Sequence, residues 1–419
     1  MEHRPSTSRN KAMRYAVPVA VAAVAAAGVG LVPALADSGD PDLPDITAQE
    51  LITKIAESDV EQLSGTVELS SDLGIPGLDA ASDGGGLFGG HSGGPEEKGE
   101  DGGGDPAQGG TDSPADPAGR LTGLLAGDHT LRVALDGPER QRVSVVEDAA
   151  EYSLIRNEGE LWAYDSASDT AFHAELPEHP EGGEEHGRGG PGSLTPQEAA
   201  ERALAAVDDS TSVTVDGTTS VAGRDAYVLA IAPKDAPDST VDAVRIAVDA
   251  ENGTPLRVTL DARGEGDPVV EAGYTKVDFG KPSAELFDFT PPKGTDVTEA
   301  DELAEKHGRG MNGLPEGLDG LPGLPGADGA DGLGESAEVI GEGWDAVVKI
   351  EGPEGLAGGE LNSREAQPLL DAFSERVSGE FGEGRVFSTT LVNALITEDG
   401  SVYVGAVTKD GLLKAAGTD

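Results

Sequence analysis

The chain has 419 residues and no cysteine, and carries 29 Lys and Arg against 78 Asp and Glu, a formal charge of −49. That balance argues against unaided nucleic-acid binding, which needs clustered cations to displace phosphate counterions, and against docking on anionic headgroups through a basic patch. The missing cysteine excludes disulfides, a thiol nucleophile, a Cys-ligated zinc and a lipid-modified N-terminal cysteine.

Residues 1–36 read as an export signal. Arg4, Arg9, Lys11 and Arg14 form a basic start, residues 16–35 are apolar and Ala-rich, and Ala34-Leu35-Ala36 is a small-x-small cleavage signature. The alternative is an uncleaved membrane anchor, since a run of about 20 apolar residues can span a bilayer. Weak Ala/Gly hydrophobicity with Pro18 and Pro33 favours cleavage, and a secreted protein or one on the extracytoplasmic face of the envelope.

Ile46-Thr47-Ala48-Gln49-Glu50-Leu51 is a complete helix start, with Thr47 and Glu50 as a capping box and Ile46 and Leu51 as a hydrophobic staple. The stripe Leu51, Ile52, Ile55, Ala56 predicts one buried face to about residue 60. Next comes an alternating strand in which Leu63, Val67 and Leu69 share one face. Residues 79–119 are Gly-, Asp- and Pro-rich and predict a disordered insertion. Strands resume at Leu131, Val133 and Leu135, then at 141–146, 151–156, 161–165 and 170–174, with Asn157-Glu158-Gly159 as a hairpin turn. A second polar loop covers 175–193. Thr195-Pro196-Gln197-Glu198 opens a second helix, and further strands are predicted at 212–215, 226–231, 244–248, 256–260 and 269–279. This is a mainly antiparallel meander with two helices.

Residues 298–335 read as a Gly/Pro/acidic linker, and its glycine at every third position from Gly317 to Gly332 is too short a run for a collagen-like rod. Residues 336–419 predict a small α+β unit. Its expected elements are a strand at 344–350, a helix at 364–377 that becomes regular at Pro368, and a strand pair 386–396 and 401–407 around Glu398-Asp399-Gly400.

No reactive constellation emerges. Gly90-His91-Ser92-Gly93-Gly94 fits G-x-S-x-G but lacks the strand-to-helix elbow that exposes such a serine. His173, His179 and His186 with Glu181, Glu184 and Glu185 lie in or beside a glycine-rich loop that cannot fix a metal geometry. The sequence therefore points to no catalytic residue, metal or cofactor, and to a protein that is not an enzyme. What it offers is an apolar sheet face. Val67, Leu69, Val133, Leu154, Trp162, Tyr164, Tyr227, Leu229, Val248 and Val258 are the candidate lining of a cavity for acyl chains. Arg132, Arg142 and Arg156, on three successive strands, are expected toward solvent, or framing an anionic headgroup at the sheet edge.

Several phrases carry a family likeness: the leading helix and the strand Leu63-Ser64-Gly65-Thr66-Val67, the run Gly137-Pro138-Glu139-Arg140-Gln141-Arg142, the hairpin ending Leu161-Trp162-Ala163-Tyr164-Asp165, and Phe287-Asp288-Phe289-Thr290-Pro291-Pro292-Lys293-Gly294. On these, residues 37–297 resemble the LolA/RseB-like periplasmic lipoprotein-carrier superfamily, close to its YdcC-type actinobacterial branch. The resemblance implies an unclosed β half-barrel with covering helices around a hydrophobic cavity. It implies an acyl lipid or lipoprotein as partner or, in an RseB-like role, a membrane signalling protein.

Overall fold

The computed structural model describes residues 41–74, 115, 127–147, 149–175, 195–205, 207–264, 266–300, 337–351 and 374–417. The export signal, the G-x-S-x-G run, the collagen-like repeat, nearly all of both polar insertions and most of the linker lie outside them.

Helix α1 (Ala48–Ala56) begins as its sequence dictates. The Thr47 hydroxyl accepts the Glu50 amide at 3.2 Å, and the Glu50 carboxylate accepts the Thr47 amide at 2.9 Å, which holds the Glu50 pKa below the usual range. Leu51 and Ile55 are its buried stripe. Helix α2 is Pro196–Ala205.

The strands β1 (Gln62–Ser71), β2 (Gly127–Asp136), β3 (Arg140–Val146), β4 (Glu151–Asn157), β5 (Glu160–Asp165), β6 (Thr170–Glu175), β7 (Thr211–Val221), β8 (Arg224–Pro233), β9 (Val241–Asp249), β10 (Pro255–Ala262), β11 (Val270–Asp278) and β12 (Asp296–Glu299) form one sheet. Its order is β12-β6-β5-β4-β3-β2-β1-β11-β10-β9-β8-β7. All pairs are antiparallel except β12 on β6. Strand β1 sits at the centre, between β2 and β11, because the chain builds one meander outward from it and returns to pair the second meander's last strand with its other edge. The ends β12 and β7 do not join, so the sheet is an unclosed, mainly antiparallel half-barrel with covering helices. Strand β12 carries it two residues past the boundary expected at 297.

The C-terminal unit is a second sheet, β13 (Ala337–Ile340), β14 (Val347–Glu351), β15 (Glu375–Gly379), β16 (Gly382–Ser388), β17 (Asn393–Thr397) and β18 (Ser401–Gly405), in the order β13-β14-β18-β17-β16-β15. Helix α3 (Lys409–Ala416), capped by Thr408, packs on β17 and β18 and was not among the elements expected from sequence. Two other expectations are corrected. Residues 375–377 are strand, not helix, since Glu375 to Gly379 pair in register with β16. The expected long strand 386–396 is two strands, β16 and β17, separated by a turn in which the Thr389 hydroxyl accepts the amides of Leu391 and Val392.

This unit is docked on the first sheet. The Thr240 amide donates to Ala406 O at 2.9 Å, the Thr408 amide to Asp238 O at 2.6 Å, and the Thr390 amide to Leu73 O at 3.0 Å. Trp344 lies in a short 3-10 turn (Gly343–Asp345), not in the strand expected there. It is buried among residues of the first sheet and donates its indole N–H to the Thr211 hydroxyl at 3.0 Å. Gly343 has φ +59°, and a Cβ there would meet Ser210 Cβ at 2.9 Å, so the approach of the two units needs glycine at this place.

Candidate functional site

Register decides which side chains share a face. Across β1–β6, the row Val133–Val143–Leu154–Ala163–Phe172 and the row Val67–Leu131–Val145–Tyr152 run straight through the pairing. Across the other half, Leu69 connects through Ala272, Val258 and Ile246 to Leu229. Tyr227 and Val248 pair with each other on the same side. Val67, Leu69, Val133, Leu154, Tyr227, Leu229, Val248 and Val258 therefore share one face, called the inner face below.

Trp162 and Tyr164 do not join them. Within β5, Leu161 and Ala163 point inward, which turns Trp162 and Tyr164 to the outer face. There Phe289 packs on both rings at 5.5 and 5.4 Å, and Trp162 stacks on His173 at 4.1 Å. The physical reason is strand register. The β4–β5 register sets the fully buried Ala163 opposite Leu154 on the inner face and Trp162 opposite Ile155 on the outer one. His173, a metal candidate by sequence, hydrogen-bonds Glu299 at 2.8 Å, and its proposed partners at 179–186 lie outside the described residues. Among the described residues no group of His, Asp and Glu could hold a metal ion.

The inner face has two unlike halves. Over β7–β11 it is filled by the protein itself. Helix α1 packs on β7 and β8 and helix α2 on β10 and β11; Leu51, Ile55, Ala200, Trp344 and Leu391 cluster with Leu229, Ile246 and Val248. Over β1–β6 the apolar residues form a separate buried cluster, Leu63, Val67, Leu131, Val133, Val143 and Leu154 among them, which Val221, Ala226, Ala247, Leu256 and Tyr274 of β7–β11 join. Beyond the sheet strands, the apolar described residues that pack with that cluster are Ala115, Val60, Ala222, Phe279 and Ala300. Gly65 lies within this half. A Cβ there would meet the Tyr274 ring at 2.9 Å, so glycine lets the tyrosine lie flat across β1.

The three arginines separate by face. Arg132 and Arg142 are on the outer face, and both pair with Glu151, at 3.4 and 3.3 Å. Burial works against the Glu151 charge, but hydrogen bonds from Ser144 and Ser153 and the Arg142 charge hold its pKa below the usual range. Arg156 is on the inner face, in the row Leu63–Leu135–Gln141–Arg156–Leu161–Ala174. The expectation that all three arginines face solvent therefore fails for Arg156. The signal was present in the sequence: Arg156 continues the parity of Tyr152 and Leu154. Tyr274 was missed altogether. It is nearly fully buried, its hydroxyl meets no hydrogen-bond partner, and burial pushes its pKa well above the ordinary value.

A cleft of about 560 Å³ lies elsewhere, beside α1, lined by Gln49, Lys54, Glu57, Glu251 and Asn252 among others. Its lining is largely polar and charged, unlike the inner face. Among the described residues no helix is long and apolar enough to cross a membrane.

No family model and no curated protein matches the chain. Solved structures do. The MucA/MucB complex of Pseudomonas aeruginosa matches with 15% identity, 88% of this chain, 96% of that chain and TM-score 0.37. The LolA superfamily protein NE2245 from Nitrosomonas europaea matches with 14% identity, 58% of this chain, 99% of that chain and TM-score 0.21. An uncharacterized conserved protein from Thermus thermophilus matches with 10% identity, 60% of this chain, 98% of that chain and TM-score 0.30.

Proposed function

We propose that this chain is an exported, non-enzymatic binding protein of the LolA-superfamily kind, which buries acyl chains of a lipid or lipoprotein against the inner face of β1–β6. The observation that carries the proposal is the division of that face. Its β7–β11 half is covered by α1, α2 and Trp344, whereas the β1–β6 half gathers a separate buried apolar cluster, Val67, Val133 and Leu154 among it, to which the described helices contribute no residue. Each methylene withdrawn from water against such a surface contributes roughly 0.8 kcal/mol. Leu69 sits between the two halves, on the central strand.

The test is extraction of the natively purified protein with organic solvent, followed by mass spectrometry and by titration with the neutral probe N-phenyl-1-naphthylamine. Co-purifying acyl lipid and saturable probe uptake are expected. A protein that carries no lipid and takes up no probe loses this reading.

A second reading is an extracytoplasmic regulator that binds a membrane partner protein. What favours it is the docked C-terminal unit, which closes one half of the inner face and leaves its own edge strands β13 and β15 each paired on one side only. Pull-down from detergent-solubilised envelopes, with and without residues 336–419, tests it. A specific membrane protein captured only by the full chain is expected on that reading.

A further inference from the structure

We propose that the acyl site is selective for lipids with an anionic head, and that Arg156 is the group that recognises it. This rests on the acyl-binding reading of the inner face and specifies its ligand.

Arg156 lies in the last inner-face row before the β4–β5 turn at Glu158 and Gly159. Its neighbours across the strands are Gln141 and Leu161, and the row continues into buried Leu63 and Ala174. Its Nε is buried and meets no hydrogen-bond acceptor. Among the described residues no carboxylate pairs with it, although Arg132 and Arg142 on the outer face share Glu151 and Arg140 holds Asp136 at 2.6 Å. A guanidinium with a buried, unpaired N–H at the rim of an apolar surface is costly, and an incoming anion removes that cost. The planar fork binds a carboxylate or phosphate head through two parallel hydrogen bonds. A chain lying along β4, over Tyr152 and Leu154, would place its head at Arg156. Tyr274 supplies a second unpartnered donor on the same face, across β1, and its raised pKa keeps it neutral. The buried carboxylate on this face, Asp165, sits four residues along β5 from Leu161, at the opposite end of the strand from Arg156, so the Arg156 rim itself favours an anionic head.

The experiment displaces N-phenyl-1-naphthylamine from the full mature chain at pH 8 with palmitate, with hexadecanol and with inorganic phosphate. Palmitate is expected to displace about tenfold better than hexadecanol, the scale of one charge-assisted hydrogen bond. Phosphate alone should not displace, since the chain supplies most of the affinity. In R156Q the palmitate-to-hexadecanol ratio should fall to near one, and R156K should keep part of it. R132Q, on the outer face, should keep the full preference. Equal displacement by both amphiphiles in the wild-type protein, or an unchanged ratio in folded R156Q, overturns the role of Arg156 while the acyl site stands. Displacement by neither removes the acyl-binding reading itself, and this inference with it. If R156Q does not fold, R156K and the wild-type ratio still decide.

Discussion

The two halves of the large sheet share one face and one pleat but use them oppositely. On β7–β11 the inner side chains are largely β-branched or aliphatic, with Tyr227 among them, and the protein lays two helices and a tryptophan over them. On β1–β6 the same face is just as apolar, yet it keeps an arginine whose buried Nε has no partner, and across β1 the Tyr274 hydroxyl of β11 is likewise unpaired. A face evolved only to be a core would have matched or removed those groups, because each leaves a desolvation cost uncompensated. The contrast teaches that one half is sealed by the protein's own helices, whereas the other holds a buried apolar cluster with unmatched polar groups at its edge.

The sharpest way to break that contrast is to remove the plug. Trp344→Ala should cost about 3–5 kcal/mol, since it empties a large buried volume and removes the indole hydrogen bond to the Thr211 hydroxyl. Urea unfolding would show it, together with new proteolytic cleavage between the two units. A loss under about 1 kcal/mol would mean that the seam is incidental.

Next, paired truncations compare the halves directly. Leu229→Ala should cost about 3 kcal/mol and leave probe uptake intact. Leu154→Ala should cost about 2 kcal/mol and weaken probe uptake several-fold. Trp162→Arg, on the outer face, should leave uptake unchanged. If Leu229 and Leu154 behave alike in both measurements, the halves are not functionally distinct.

The third test concerns the buried pair that fixes the β7–β11 half. Asp249 is fully buried and pairs with Arg224 at 2.7 Å. Burial opposes its charge, but Arg224 and the amides of Asn252 and Glu251 outweigh this and lower its pKa. A lowered folded-state pKa means that the stabilisation is present above the ordinary Asp range and is lost as pH falls through the folded value. Asp249→Asn should therefore cost about 2 kcal/mol at pH 7, discounted for the partly exposed guanidinium, and progressively less in acid. Equal destabilisation at pH 7 and pH 2 would contradict this.

The smallest effect is expected at the seam. Asp345 has one carboxylate oxygen buried without a partner, and burial together with the nearby Asp238 charge raises its pKa. A raised folded-state pKa reverses the sign: the favourable state is fully present below the unfolded value and is lost as pH rises through the folded one. Asp345→Asn should stabilise the docked unit by about 1 kcal/mol at pH 7 and by little at pH 3. Thermal melts at the two pH values measure it.

How much of this was legible beforehand depends on the range of the interaction concerned. The Thr47 cap, the β4–β5 hairpin and the inward parity of Val67, Val133 and Leu154 are local. A capping box needs three residues, a hairpin turn needs two, and alternation needs only the pleat, so the sequence by itself determined them. It also determined that the fold would be mainly antiparallel. What only the tertiary structure decided was non-local. Trp162 and Tyr164 are turned outward because the β4–β5 register sets Ala163 opposite Leu154 and Trp162 opposite Ile155, a pairing that no strand shows in isolation. Arg156 differs from Arg132 and Arg142 because Glu151 lies across the strands on the outer face only. Trp344 became the plug of a sheet whose strand β7 lies more than a hundred residues before it, and such pairings are set by the free energy of the whole assembled core rather than by local pattern.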